Sequence, residues 1–303
     1  MGLPQQHRHF LDLADLADGQ LRQLLDAAAA RKAARAGLPK GAVDEDAPLD
    51  GYLLAMVFEK PSTRTRLSFD MGMRQLGGQT VILNQSDMQL GRGESIADTA
   101  RVISRFADIA MLRTGPHETL SELAAHARVP VINGLTAYSH PCQIVSDLMT
   151  FEEHKGKLAG QKLAWLGDGN NVALTFVHAA AQVDFELALA CPPDFSIAEA
   201  EIAAARDRGA KVTLHERAEG AAEGAAALIT DCWVSMSDDP QEAEARASAF
   251  RTYQVTQQLM ELGDAPIFMH CLPAYRDSEV TGEVIDGPGS VVFDEAENRA
   301  HAQ

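Results

Sequence analysis

The run Phe58-Glu59-Lys60-Pro61-Ser62-Thr63-Arg64-Thr65-Arg66 gathers hydroxyl and guanidinium side chains into one short stretch. An apolar segment precedes it, Pro61 breaks that segment, and a helical pattern follows. The start of a helix offers unpaired backbone N–H groups and a partial positive charge. That combination binds phosphate. Ser62, Thr63 and Thr65 add hydroxyl donors, and Arg64 adds a fork suited to a bidentate contact. The GxxxxGK[ST] order is missing, so this is not a P-loop. An ordinary Ser/Thr cap with surface arginines fits the same pattern equally well.

Other residues invite chemistry with less support from pattern alone. His140 stands before Pro141, Cys142 and Gln143 at the head of a helix. A histidine there can donate to a developing oxyanion, although a lone histidine at such a junction is more often structural. Cys271 follows an apolar strand and precedes Leu272-Pro273; by itself it reads as a small buried hydrophobe. Gly167-Asp168-Gly169-Asn170-Asn171 follows a strand and opens a helix, as a dinucleotide turn would. Val172 occupies the place of the third glycine, and the next strand ends in Cys191-Pro192 instead of an acidic residue for ribose, so that site is weak. Gln89, within Asp87-Met88-Gln89-Leu90-Gly91-Arg92-Gly93-Glu94-Ser95, reads as part of a polar surface loop before a helix.

These residues sit at the ends of alternating apolar segments. Residues 11–36 are predicted helical from the spacing of Leu13, Leu16, Leu21, Leu24 and Leu25, and 37–50 form a Gly/Pro/Asp-rich loop. Strands are predicted at Tyr52–Phe58, Thr80–Leu83, Ile109–Leu112 and Val129–Asn133, with helices at Leu67–Leu76 and Ile96–Phe106. A helix begins after Pro141. The pattern then repeats, with strands at Lys162–Leu166, Glu186–Ala190, Lys211–Leu214, Leu228–Asp231 and Ile267–His270. Helices are predicted at Val172–Ala181, Ile197–Arg208 and Ala218–Ala227. Such alternation implies an α/β fold of two doubly wound domains, each a mostly parallel sheet with helices on both faces. The break is predicted near 140–155, giving domains of 1–145 and 146–303.

Composition narrows the classes. The 303 residues carry a formal charge of −17, with 46% hydrophobic and 23% charged. That length suits two domains. The acidic balance disfavours nucleic acid as a partner, because phosphate backbones need cationic surfaces. No apolar run reaches the roughly 20 residues of a membrane span, and Met1–Phe10 lacks a secretory apolar core. A cytoplasmic location follows as the expectation. Cys142, Cys191, Cys232 and Cys271 stand far apart, without the CxxC spacing of a zinc ribbon or redox pair.

Five motifs in order carry a family resemblance. Ser62-Thr63-Arg64-Thr65-Arg66 resembles the carbamoyl-phosphate signature of the aspartate and ornithine carbamoyltransferases. His140-Pro141-Cys142-Gln143 resembles their second signature, and His270-Cys271-Leu272-Pro273 the third, in its ornithine-type form. Asp231-Cys232-Trp233-Val234-Ser235-Met236 is similar to their ornithine loop, and Glu297-Asn298-Arg299 to their C-terminal arginine motif.

The resemblance implies a carbamoyl-phosphate-binding first domain and an ornithine-binding second domain. It implies transfer of a carbamoyl group from carbamoyl phosphate to the side-chain amine of L-ornithine, without metal or organic cofactor. Ser62, Thr63, Arg64, Thr65, Gln89, Arg113, His140, Gln143, Cys271, Leu272 and Arg299 would bind carbamoyl phosphate. Within that set, His140 and Thr65 would meet the carbonyl oxygen, while Gln143 and the Leu272 carbonyl would hold the carbamoyl NH₂. Arg113, His140 and Cys271 would be the catalytic residues. Cys271, as thiol or thiolate near Asp231, would help hold the acceptor amine. Asn171 would take the ornithine α-carboxylate, with Asp231, Ser235 and the backbone at Met236 around the α-amino group.

The resemblance further implies a homotrimer in which Gln89 completes a neighbour's site, and a role in arginine metabolism. Two departures stand out: Ser237 lies where the family usually has glycine, and the chain ends soon after Arg299. Transfer to another amine, such as putrescine or an N-acylated ornithine, is the alternative acceptor reading. A non-catalytic anion- or amino-acid-binding protein of the same fold and a nucleotide-dependent oxidoreductase are the rival classes.

Overall fold

The structure is a computed structural model that describes residues 8–88, 93–233 and 240–303. The chain divides into two compact units. One comprises residues up to Asp15, Asp26–Cys142 and Arg299–Gln303; the other comprises Leu16–Leu25 and Gln143–Asn298.

In the first unit, β1 (Leu53–Phe58), β2 (Gln79–Asn84), β3 (Ile109–Arg113) and β4 (Val131–Leu135) form a parallel sheet ordered β2-β1-β3-β4. The helices are α1 (Gln20–Ala34), which begins in the second unit, α2 (Thr63–Gln75), α3 (Ile96–Phe106) and α4 (His117–His126). Successive residues of a strand face opposite sides. Leu54, Met56 and Phe58 accordingly join a core with Phe69 and Met73 of α2. Ala55 and Val57 join a separate core with Ala100 and Ile103 of α3 and Leu120 and Leu123 of α4. Both faces are covered, which is why β1 is apolar along its whole length.

The second unit contains β5 (Lys162–Leu166), β6 (Glu186–Ala190), β7 (Lys211–His215), β8 (Ala227–Thr230) and β9 (Ile267–His270), ordered β7-β6-β5-β8-β9 and again all parallel. Around it lie α6 (Asn171–Ala180), α7 (Glu199–Asp207), α8 (Ala218–Ala222), α9 (Pro240–Phe250), α10 (Gln257–Met260) and α11 (Gly282–Ile285). Ala164 and Leu166 of β5 pack with α8 and Phe250, while Trp165 meets Phe176 of α6 at 5.9 Å. The division of the chain falls within α5 (Pro141–Lys155), after Cys142, and within α12 (Val292–Ala302), after Asn298. No helix among the described residues is long and apolar enough to cross a membrane.

In each sheet the strand order reverses once, between β1 and β3 and between β5 and β8. Ligands of such sheets bind outside the carboxyl ends of the strands at that reversal. The residues singled out by sequence follow those ends: Ser62–Thr65 after β1, Arg113 closing β3, Gly167–Asn171 after β5 and Asp231 after β8.

Several predicted bounds shift for local reasons. The helix predicted from residue 11 begins only after Gly19, whose φ of 77° is left-handed; Leu13–Asp15 make a single separate turn. The helix predicted from Leu67 starts at Thr63, because Ser62 caps it. β4 starts at Val131, two residues late, since Pro130 has no N–H for the ladder. α8 stops at Ala222 before Gly224, at φ 69°. α4 and α12 fall where no element was predicted. Each is a short helix with few buried apolar residues, so its period is faint.

Candidate functional site

Ser62 is the N-cap of α2: its backbone is extended and its Oγ accepts from the Thr65 N–H at 3.3 Å. That places Thr63, Arg64 and Thr65 in the first turn, where backbone N–H groups lack helical partners. Thr65 is fully buried, and its Oγ1 accepts from Arg299 Nη2 at 2.8 Å and from Arg113 Nη1 at 3.3 Å. With both lone pairs so engaged, the Thr65 hydroxyl proton is left for another acceptor. Arg64 is half-buried and meets no carboxylate among the described residues. Arg66 instead turns to Asn84 Oδ1 at 2.6 Å and lies over the Phe58 ring, so it braces the strand end.

His140 is buried, and its pKa is driven well below the usual histidine value. Desolvation is the main cause, followed by the positive charges of Arg299, Arg113 and Arg64. The imidazole is neutral and can serve as a donor without carrying charge. A polar network holds the turn before it. Asn133 Nδ2 donates to Ser139 Oγ at 3.2 Å and to the Leu11 carbonyl at 2.8 Å. Thr136 Oγ1 accepts from the Ser139 N–H at 3.2 Å.

The second unit carries its own cluster. Asp231 Oδ1 accepts from the Cys271 thiol at 3.1 Å and from the Cys232 N–H at 2.8 Å. Its Oδ2 accepts from Asn170 Nδ2 at 2.8 Å. β8 and β9 pair Thr230 with His270, so Asp231 and Cys271 are the next residues along two adjacent strand ends. Burial and Asp231 push the Cys271 thiol well above its ordinary pKa. The thiolate alternative is therefore corrected: Cys271 is a neutral thiol that donates to Asp231. Asp231 itself lies beyond β8, contrary to the predicted strand Leu228–Asp231, because its carboxylate binds the next backbone N–H instead of the ladder.

His270 fixes the turn that follows. The Leu272 N–H donates to His270 Nδ1 at 2.9 Å, so the ring proton sits on Nε2 and is shared with Glu279 Oε1 at 3.2 Å. Leu272 has a left-handed φ of 58°. Gln143 is oriented by two acids: its Nε2 lies 2.7 Å from Asp147 Oδ1 and 3.2 Å from Glu295 Oε1. Only the amide nitrogen can face two carboxylates, which leaves Oε1 as the outward end. That oxygen is buried and without a hydrogen-bond partner, a ready acceptor for an N–H.

Asp231, His270 and Cys271 also place potential metal-ligand atoms within 4.8 Å of one another. Both His270 nitrogens are already engaged with Leu272 and Glu279, which leaves no ring lone pair for a cation. The glycine at the head of the turn after β5 has a packing reason of its own: a Cβ on Gly167 would lie 2.6 Å from Trp233 Nε1.

Of the residues named from sequence, Thr65, Arg113 and Arg299 are hydrogen-bonded in the first unit, where Ser62, Thr63, Arg64 and His140 also lie. Asn171, Gln143, Asp231, Cys271 and Leu272 lie in the second, where Asp231 and Cys271 are bonded. Asn171 opens α6. Gln89, Ser235 and Met236 fall outside the described residues. Sequence reasoning missed Asn170, Asp147 and Glu295. An asparagine just before a helix is a cap signal that marks Asn170; no local signal marks Glu295, which is 152 positions from Gln143.

Residues 8–153 match the carbamoyl-phosphate-binding domain of the aspartate/ornithine carbamoyltransferases, and 159–303 match their Asp/Orn-binding domain. The chain is 56% identical to an ornithine carbamoyltransferase of Rhodopseudomonas palustris, over 98% of this chain and 94% of that one. It is 53% identical to one from Cereibacter sphaeroides, over 97% and 96%. Among solved structures, the ornithine carbamoyltransferase of Pyrococcus furiosus aligns with a TM-score of 0.91 and 42% identity, over 99% and 96% of the two chains. An N-acetyl-L-ornithine transcarbamylase aligns at 29% identity with a TM-score of 0.84, over 98% and 97%. With both domains matched in order and identities above one half across nearly its whole length, this chain belongs to the aspartate/ornithine carbamoyltransferase family.

Proposed function

We propose that this protein is an ornithine carbamoyltransferase, which converts carbamoyl phosphate and L-ornithine to L-citrulline and phosphate. The observation that carries the reading is the Asp231–Cys271 pair at the ends of β8 and β9. A carboxylate oriented by a neutral thiol suits an acceptor that brings a cationic amino group. Curated relatives above one-half identity carry the same activity in their names, while the N-acetylornithine enzyme is more distant.

In this reading the first turn of α2, with Ser62, Thr63, Arg64 and Thr65, takes the phosphate, joined by Arg113 and Arg299. The carbamoyl oxygen accepts from the Thr65 hydroxyl and the neutral His140 ring. Negative charge that builds on this oxygen during attack meets fixed donors and nearby guanidinium charge, which lowers the barrier. Gln143 Oε1 and the Leu272 carbonyl accept from the carbamoyl NH₂ and set the face open to attack. Asn171 takes the α-carboxylate of ornithine, and Asp231, with Ser235 and Met236, takes the α-amino group. Cys271, its proton directed at Asp231, turns sulfur lone pairs toward the attacking side-chain amine. That amine must arrive neutral. It bonds to the carbonyl carbon, the carbon–oxygen bond to phosphate breaks, and the amine's proton leaves with phosphate or solvent.

We further propose a cytoplasmic homotrimer serving arginine metabolism, in which Gln89 completes the donor site of a neighbour. Exposed Val102 and Phe106, one turn apart on α3, support an apolar contact surface on the first unit. The test of function is a product assay with carbamoyl phosphate against ornithine, putrescine, aspartate and N-acetylornithine. Citrulline from ornithine at the highest kcat/KM is the expected result. Preference for any other acceptor overturns the assignment.

A further inference from the structure

We propose that Asn170 is a positioning residue for the acceptor: its side chain ties the Asp231 carboxylate to the rigid start of α6. The inference rests on the ornithine reading above and assigns a role to a residue outside the expected substrate contacts.

The two ends of the Asn170 amide do different work. Oδ1 accepts from the Val172 N–H at 2.9 Å and the Ala173 N–H at 3.1 Å, capping α6. Nδ2 donates to Asp231 Oδ2 at 2.8 Å. The amide cannot be reversed, because one end faces two donors and the other a carboxylate. α6 is a firm anchor: every residue from Val172 to Ala180 is buried.

Asp231 needs such an anchor. Its other oxygen is held by the Cys271 thiol and by the N–H of Cys232. A carboxylate gripped at Oδ1 alone can still swing Oδ2 about its broad terminal torsion. The Asn170 bond removes that freedom and fixes both oxygens before an ammonium group arrives. The turn that bears Asn170 is itself pinned. Arg246 Nη2 lies 2.5 Å from Asp168 Oδ2, and its Nε donates to the Trp233 carbonyl at 2.9 Å. The same guanidinium lies over the Phe195 and Phe250 rings at 4.7 and 5.3 Å.

Substitutions can separate the cap from the tether. Asn170→Ser keeps a capping oxygen, since serine is as good an N-cap as asparagine, but its short hydroxyl cannot span to Asp231. Asn170→Asp also keeps the cap and sets a carboxylate against Asp231. The expected result for Asn170→Ser is a thermal midpoint close to the parent's and a KM for ornithine raised roughly tenfold or more, the loss of one hydrogen bond to a charged group. The KM for carbamoyl phosphate should stay within about twofold. Asn170→Asp should be worse for ornithine than Asn170→Ser at neutral pH. The parent is assayed first: no citrulline from ornithine overturns the functional reading. With an active parent, an unchanged ornithine KM in a folded Asn170→Ser overturns this inference alone. So does an equal rise in both KM values, which marks general damage.

Discussion

His140 and Cys271 share a property that shapes the pH response. Burial and the charges of Arg299, Arg113 and Arg64 keep His140 neutral down to acidic pH. Burial and Asp231 keep Cys271 a thiol up to alkaline pH. Neither group changes charge between pH 6 and 9. The acceptor does: a side-chain amine like that of lysine has a pKa of about 10. kcat/KM for ornithine should therefore climb by roughly tenfold per unit from pH 6 to about 8, as the neutral side-chain amine becomes more abundant, and rise less steeply above that as the α-amino group loses the charge that Asp231 receives. Initial-rate measurements at low ornithine test this, and a flat profile would show that another step limits. The gathering of hydroxyl and guanidinium side chains at the start of α2 was legible in the sequence, as the run that follows Pro61. The orientation of Gln143 was not, because it depends on Asp147 and on Glu295 far along the chain. Nor was the tether from Asn170 to Asp231, whose partners are 61 residues apart.

At the scale of elements, the turn after β5 gives the sharpest structural test. Gly167 has a φ of 119°, a region costly for other residues, and its missing side chain makes room for Trp233. Gly167→Ala should destabilise the protein by about 1–3 kcal/mol through backbone strain, with further cost if the indole must move. A denaturation midpoint equal to the parent's would show that the turn and indole relax freely. The strands were readable because buried parallel strands are continuous apolar runs between breakers. α4 and α12 were not, since a helix with a thin buried stripe looks like loop sequence. The helix starts at Thr63 and Asn171 were displaced or blurred for a related reason. Capping is a contact of one side chain with a backbone N–H two or three residues on, and periodicity does not register it.

At the scale of the molecule, the sharing of sites around a ring has a numerical signature. Suppose each donor site needs Arg64 from one chain and Gln89 from the next. Gln89→Ala and Arg64→Ala are then each nearly inactive. In a cyclic trimer with head-to-tail contacts, any mixed ring contains one place where a chain with intact Arg64 borrows an intact Gln89. Random equal mixing makes about three-quarters of rings mixed, so about a quarter of all sites should recover. Co-refolding the two variants and assaying citrulline reads this directly. Mixed trimers with no more activity than the separately refolded variants would place both residues in the same chain's site.

The placement of the aromatic side chains carries a consequence for optics. The chain has two tryptophans, and both Trp165 and Trp233 lie in the second unit. Trp165 is fully buried beside Phe176, while Trp233 stacks on Phe250 at 5.5 Å, two residues after Asp231. Intrinsic tryptophan emission thus originates wholly in the second unit. A titration with ornithine should perturb the Trp233 fluorophore through its immediate neighbours, giving a label-free signal native to the protein.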